Sequence, residues 1–191
     1  MGLLALCASV SICACAISAQ EVSLERGKGH DPVARIFDAA KNETIVSVVP
    51  NFTATLAAQI LAGSPDVQRD PRHESIDFTL RAISYSYPGN VPLRPQTVKF
   101  VFVSDGRKPK YKDTTEFRID VDGSPVTQGK IDYDVKDSSF GKVEVLMALV
   151  PTDLFLRIAR AAKVQFSFGA KTHKLSNLQK KDLRALAETI P

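Results

Sequence analysis

Residues 143–190 read VEVLMALVPTDLFLRIARAAKVQFSFGAKTHKLSNLQKKDLRALAETI, and the patterning of this stretch decides the fold class. Val143 to Val150 is an apolar run that Pro151 ends, as a buried strand requires. Thr152 then stands where a helix N-cap is wanted, and Leu154, Phe155, Ile158, Ala159 and Ala162 recur at helical spacing, so one face of the next helix is apolar. Val164, Phe166 and Phe168 alternate with polar residues up to Gly169, and Lys171 to Leu175 returns as the second arm of a hairpin. Ser176 with Gln179 three residues on is a capping box, and Leu178, Leu183, Leu186, Ala187 and Ile190 form the stripe of a last helix.

Upstream of this ending the pattern is dominated by strands. Ile131, Tyr133 and Val135 alternate with charged residues, as do Phe117, Ile119 and Val121 before the turn Asp122-Gly123-Ser124-Pro125. Pairing these two runs as a hairpin sets Asp120 opposite Lys130 and Arg118 opposite Asp132, with Phe117 against Tyr133 and Ile119 against Ile131 inside. Val98 to Val103 is β-branched or aromatic on both faces apart from Lys99, which predicts a central strand covered on both sides. From Ile76 to Tyr87 the apolar residues alternate but slip phase by one between Ala82 and Ile83, the mark of a β-bulge. Pro88-Gly89-Asn90 turns the chain, and Thr44 to Val49 is a further strand ended by Pro50.

Two helices are expected earlier. Asp31 with Pro32 at the first helical position, then Val33, Ile36, Phe37, Ala39 and Ala40, predicts a short helix within a leader spanning residues 20–41. Thr55 to Ala62, rich in Leu and Ala and stopped by Gly63, predicts another, and residues 63–75 an exposed loop. Strand–helix alternation of the doubly wound kind is absent. The fold class is therefore α+β, an antiparallel sheet or sandwich-like core with two C-terminal amphipathic helices, in a single globular domain over residues 42–191.

Residues 1–19 carry no charged side chain and are small or apolar, the composition of a secretory signal peptide with cleavage at Ala19. The run is short for a membrane span, which needs about 20 apolar residues, and no Lys or Arg stands near Met1. Ala14-Cys15-Ala16 offers a competing cleavage site, and Ile12-Cys13-Ala14-Cys15 loosely resembles a lipobox, the alternative in which Cys15 is lipidated. Cys7, Cys13 and Cys15 are the three cysteines, so cleavage at Ala19 leaves a chain without thiols or disulfides, secreted or periplasmic.

Chemistry-bearing motifs are sparse. With 25 basic and 21 acidic residues the net charge of +4 is mild, which suits an anionic surface or envelope component better than nucleic acid. Asp120, Asp122, Asp132, Asp134 and Asp137 cluster if the hairpin forms, but their spacing is not that of a calcium loop and reads as a solvated strand face. His30, His73 and His173 have no metal-ligand spacing, there is no nucleophile motif, and no glycine loop cradles a phosphate, so no metal or cofactor is implied. Asn42 and Asn51 begin sequons. The one concentrated basic stretch is Arg107, Lys108, Lys110, Tyr111 and Lys112, whose cations suit phosphate or carboxylate and whose ring suits stacking. These features predict an exported, non-catalytic binding or envelope-associated module; the alternatives are a small hydrolase using carboxylates such as Asp132 or Asp134, or a lipid-anchored lipoprotein.

Overall fold

The computed structural model describes residues 33–48, 78–114, 116–128, 131–138 and 141–191. Among the described residues ten strands and two helices follow in order: β1 (Val33–Asp38), β2 (Glu43–Val48), β3 (Thr79–Pro88), β4 (Thr97–Gly106), β5 (Phe117–Val121), β6 (Ser124–Gln128), β7 (Asp132–Ser138), β8 (Gly141–Pro151), α1 (Thr152–Arg160), β9 (Val164–Phe168), β10 (Lys171–Lys174) and α2 (Asn177–Glu188). One sheet has the order β1-β2-β3-β4-β8-β7 and the other β10-β9-β5-β6, with every pairing antiparallel. The fold is α+β with a sheet core. No helix among the described residues is long and apolar enough to cross a membrane.

The inner face of the large sheet carries Val46, Ile83, Tyr85, Phe100, Phe102, Leu146 and Ala148, all buried. The layer opposite is shared between the four-stranded sheet and the two helices. Phe166 from β9 meets Phe100 at 5.3 Å and Phe102 at 5.2 Å between ring centroids, Phe117 from β5 meets Phe102 at 5.9 Å, and Phe155 from α1 meets Phe100 edge-on at 6.0 Å. Each such ring stabilises the fold by roughly 1.5–3 kcal/mol through burial, and each well-set aromatic pair adds about 0.5–1.5 kcal/mol. Tyr85 Oη reaches from β3 to Thr189 O beyond the end of α2, at 3.0 Å, and ties the last helix down.

Several expectations hold. The bulge in β3 is present, between Leu80 and Ala82, one residue earlier than the phase slip suggested. The ending of strand, helix, hairpin and helix is as read, and the Ser176–Gln179 capping box is complete. β4 is central, although its outer row is mixed: Val101 is buried while Lys99 is exposed.

Others are overturned. Val33 to Asp38 is a strand rather than a helix, because Val33, Arg35 and Phe37 alternate with Ala34, Ile36 and Asp38 and pair along β2, so the sheet begins inside the segment read as leader. Ala39 and Ala40 lie in the turn instead, where Asp38 Oδ1 accepts from the Ala40 N–H at 3.0 Å and the Lys41 N–H at 3.3 Å. The hairpin of residues 117–121 with 131–135 does not form. Asp122 (φ +53°) and Gly123 (φ +83°) make a two-residue turn, the combination that right-twisted strands favour, and β5 pairs with β6 through Ile119 opposite Val126. β7 joins the other sheet, Tyr133 standing opposite Leu146. Pro125 is tolerated because β6 is an edge strand.

Thr152 is not a side-chain cap either; its hydroxyl donates to Pro95 O at 2.6 Å and fastens α1 to the loop before β4. Leu178 is 51% exposed and outside the buried stripe of α2, whose inner face holds Asp182, Leu183 and Leu186. The signal and lipobox segments, all three cysteines, His30, His73, Asn51, the helix of residues 55–62 and the loop of 63–75 lie outside the described residues.

Candidate functional site

The basic loop begins where β4 ends at Gly106, and its shape follows from two buried side chains. The first is Tyr111, only 3% exposed, whose ring packs between Phe168 at 5.5 Å and Phe78 at 5.9 Å. The second is Glu144 on β8, 1% exposed, in the inward row that continues with Leu146, Ala148 and Val150. Its Oε1 accepts from the Tyr111 N–H at 2.8 Å, the Lys110 N–H at 2.9 Å and the Tyr133 hydroxyl at 2.9 Å. A buried carboxylate is tolerable when hydrogen bonds satisfy it, and here they come from the backbone of the loop it holds. The loop closes on a Thr114 N–H to Tyr111 O bond of 3.0 Å.

A close backbone approach completes the base of the loop. Gly141, at the start of β8 with φ +132°, faces Gly106 so tightly that a Cβ there would lie 2.5 Å from Gly106 O and 3.3 Å from Arg107 Cα. Gly169, in the β9–β10 turn, sits against Thr114, and its N–H donates to Glu116 O at 3.4 Å. The tip of that hairpin therefore lies beside the loop and brings exposed Lys171 to the same end of the sandwich.

Arg107, Lys108, Lys110 and Lys112 are exposed on this fixed backbone, with Asp113 exposed beside them. Tyr111 is the exception among the residues singled out from sequence: its ring belongs to the core and is not available for stacking. Tyr133 senses the same surroundings, since burial, its bond to Glu144 and the charges of Glu144, Asp113 and Asp134 together push its hydroxyl up to about 12. Glu144 is the residue that pattern reading passed over; its signal is a carboxylate in the inward phase of an apolar strand.

The aspartates are divided between the two sheets. Asp120 Oδ1 accepts from the Gly123 N–H at 2.8 Å and Asp122 Oδ1 from the Lys163 N–H at 2.7 Å, both at one end of the four-stranded sheet. Asp132, Asp134 and Asp137 lie on β7, exposed, with Lys136 3.8 Å from Asp134 and Lys142 bonded to Asp137. No group of three or more His, Cys, Asp or Glu side chains among the described residues is placed to hold a metal ion. At the far end of β4 a shallow groove of about 360 Å³ runs between Ser86, Pro88, Leu93 and Thr97, next to the Arg94–Asp153 ion pair of 2.7 Å. It contains neither Asp132 nor Asp134.

The chain matches no family model, no curated protein and no solved structure. Fold and site geometry are thus the ground on which a functional reading stands.

Proposed function

We propose that this chain is an exported, non-catalytic binding module that meets an anionic envelope surface through the loop of residues 107–112. The observation that carries the reading is the loop itself: four exposed cations within six residues, on a backbone held by a buried carboxylate rather than left to fluctuate. Preorganisation matters because a fixed loop loses little conformational entropy on binding. Export is supported by the apolar, uncharged residues 1–19, with release at Ala19 as the favoured outcome and acylation of Cys15 as the other.

Sedimentation with phospholipid vesicles tests the surface. Each basic residue near an anionic surface contributes about 1 kcal/mol, so replacing Arg107, Lys108, Lys110 and Lys112 together by Ser removes about 4 kcal/mol and lowers the affinity for anionic vesicles by up to about 1,000-fold. Binding to zwitterionic vesicles is expected to be weak, and raised salt to weaken binding to anionic ones. Equal binding of wild type and the quadruple variant, or of the two vesicle types, contradicts the proposal. The intact mass of protein recovered from the exported fraction of a bacterial host reports the N-terminus: a chain starting at Gln20 supports release, and an acylated Cys15 supports anchorage.

A further inference from the structure

The capping box of α2 is joined to a histidine. Gln179 Oε1 accepts from the Ser176 N–H at 2.9 Å, and the Gln179 N–H donates to Ser176 Oγ at 3.2 Å. The other end of the same amide, Nε2, lies 3.2 Å from His173 Nε2. An amide nitrogen has only hydrogens to offer, so this contact is a hydrogen bond only when His173 Nε2 carries a lone pair. His173 sits on β10 opposite Phe166, half-buried, with its ring T-shaped to that of Phe102 at 6.3 Å between centroids.

We propose that His173 and Gln179 form a proton-operated latch on the N-terminus of α2. With the imidazole neutral, Nε2 accepts from Gln179 and leaves Oε1 on the Ser176 backbone. When Nε2 takes a proton, two donors face each other, and the amide turns over so that Oε1 accepts from the ring. The Ser176 N–H then faces the amide's NH₂ and loses its acceptor, so half of the capping box is undone.

The surroundings favour the neutral ring. Burial holds the His173 pKa below its usual value, and the smaller opposing pull toward the protonated form comes from Gln179, whose Oε1 accepts from the ring only once the amide has turned over. Lys171 and Lys174 on the same strand are exposed, and Phe166, opposite on β9, has no charge. On α2, Lys180 is committed to Ala162 O at 2.8 Å, and Asp182 has its carboxyl raised by burial against the pull of Lys181. The sign follows: a base depressed in the fold contributes stability at neutral pH that is lost as pH falls below about 6.5 and through its folded pKa. Asp182 has the opposite sign, because a raised carboxyl favours the fold at low pH, so the two are separable.

NMR on the full chain between pH 8 and 4.5 tests the latch. The Ser176 amide resonance is expected to move with the midpoint of the His173 ring, below 6.5, and the protection factors of the first turn of α2 to fall about fivefold across that midpoint, the size of one lost cap. His173→Phe removes the step while Asp182 remains. Gln179→Glu supplies a carboxylate that accepts from both partners, so it raises the His173 midpoint and keeps Ser176 bonded throughout. A Ser176 amide that stays flat while His173 titrates, or a step that survives His173→Phe, overturns the proposal.

Discussion

Removing the carboxylate under the basic loop is the sharpest test of how this end of the sandwich is built. Glu144→Ala deletes the acceptor of the Lys110 and Tyr111 N–H groups and of the Tyr133 hydroxyl. The Tyr111 N–H is buried, whereas the other two donors are only partly buried and lie closer to solvent. A hydrogen bond to a charged group is worth about 1.5–3 kcal/mol and an orphaned buried donor costs about 1–3 kcal/mol. Against this stands the desolvation of Glu144 itself, which amounts to several kcal/mol for a buried ion and which the alanine relieves. The balance is a loss of roughly 2–4 kcal/mol, and Glu144→Gln, which keeps an acceptor oxygen in place, loses about half as much. With a urea slope of about 2 kcal/mol/M, the alanine lowers the midpoint by roughly 1–2 M. The chain has no tryptophan, so far-ultraviolet circular dichroism is the probe, paired with amide exchange at Lys110 and Tyr111. An alanine variant within about 0.5 kcal/mol of wild type, the normal range for an unimportant surface site, with unchanged exchange at those two amides, refutes the reasoning.

The same neighbourhood yields two further outcomes. Gly141→Ala drives a Cβ to within 2.5 Å of Gly106 O at φ +132° and is expected to destabilise by roughly 2–4 kcal/mol in urea unfolding, whereas Gly123→Ala, with nothing within 4 Å, costs only about 1 kcal/mol of conformational strain. Absorbance titration near 295 nm is expected to show one tyrosine ionising at about 12, chiefly through burial of Tyr133 and then through Glu144, and Tyr133→Phe removes that step. Because that pKa is raised in the fold, the stability linked to it is intact below pH 10 and is lost as pH climbs through 12, so unfolding midpoints measured over that window fall less steeply in the Phe variant.

Local chemistry made much of the fold legible. The capping box at Ser176, the alternation of Val164, Phe166 and Phe168, and the phase slip in β3 are all set within a few residues, and each is present. The apolar spacing of Val33 to Asp38 fits a helix face as well as a strand, and only pairing with β2 decides between them. The hairpin register failed for a related reason: charge complementarity between Arg118 and Asp132 weighs less than a two-residue Asp-Gly turn, which commits β5 to β6 at once.

The basic run of residues 107–112 was visible as composition, and the exposure of its four cations follows from their charge. What composition could not show is that Tyr111 turns inward and that Glu144, 33 residues further along the chain, holds its backbone. The sequence by itself thus determined which segments are strands and helices wherever a cap, turn or strict alternation speaks, and where positive charge concentrates. Tertiary structure alone decided which strands share a sheet and which carboxylate is buried, because those depend on a hydrophobic interior assembled from residues far apart in the chain.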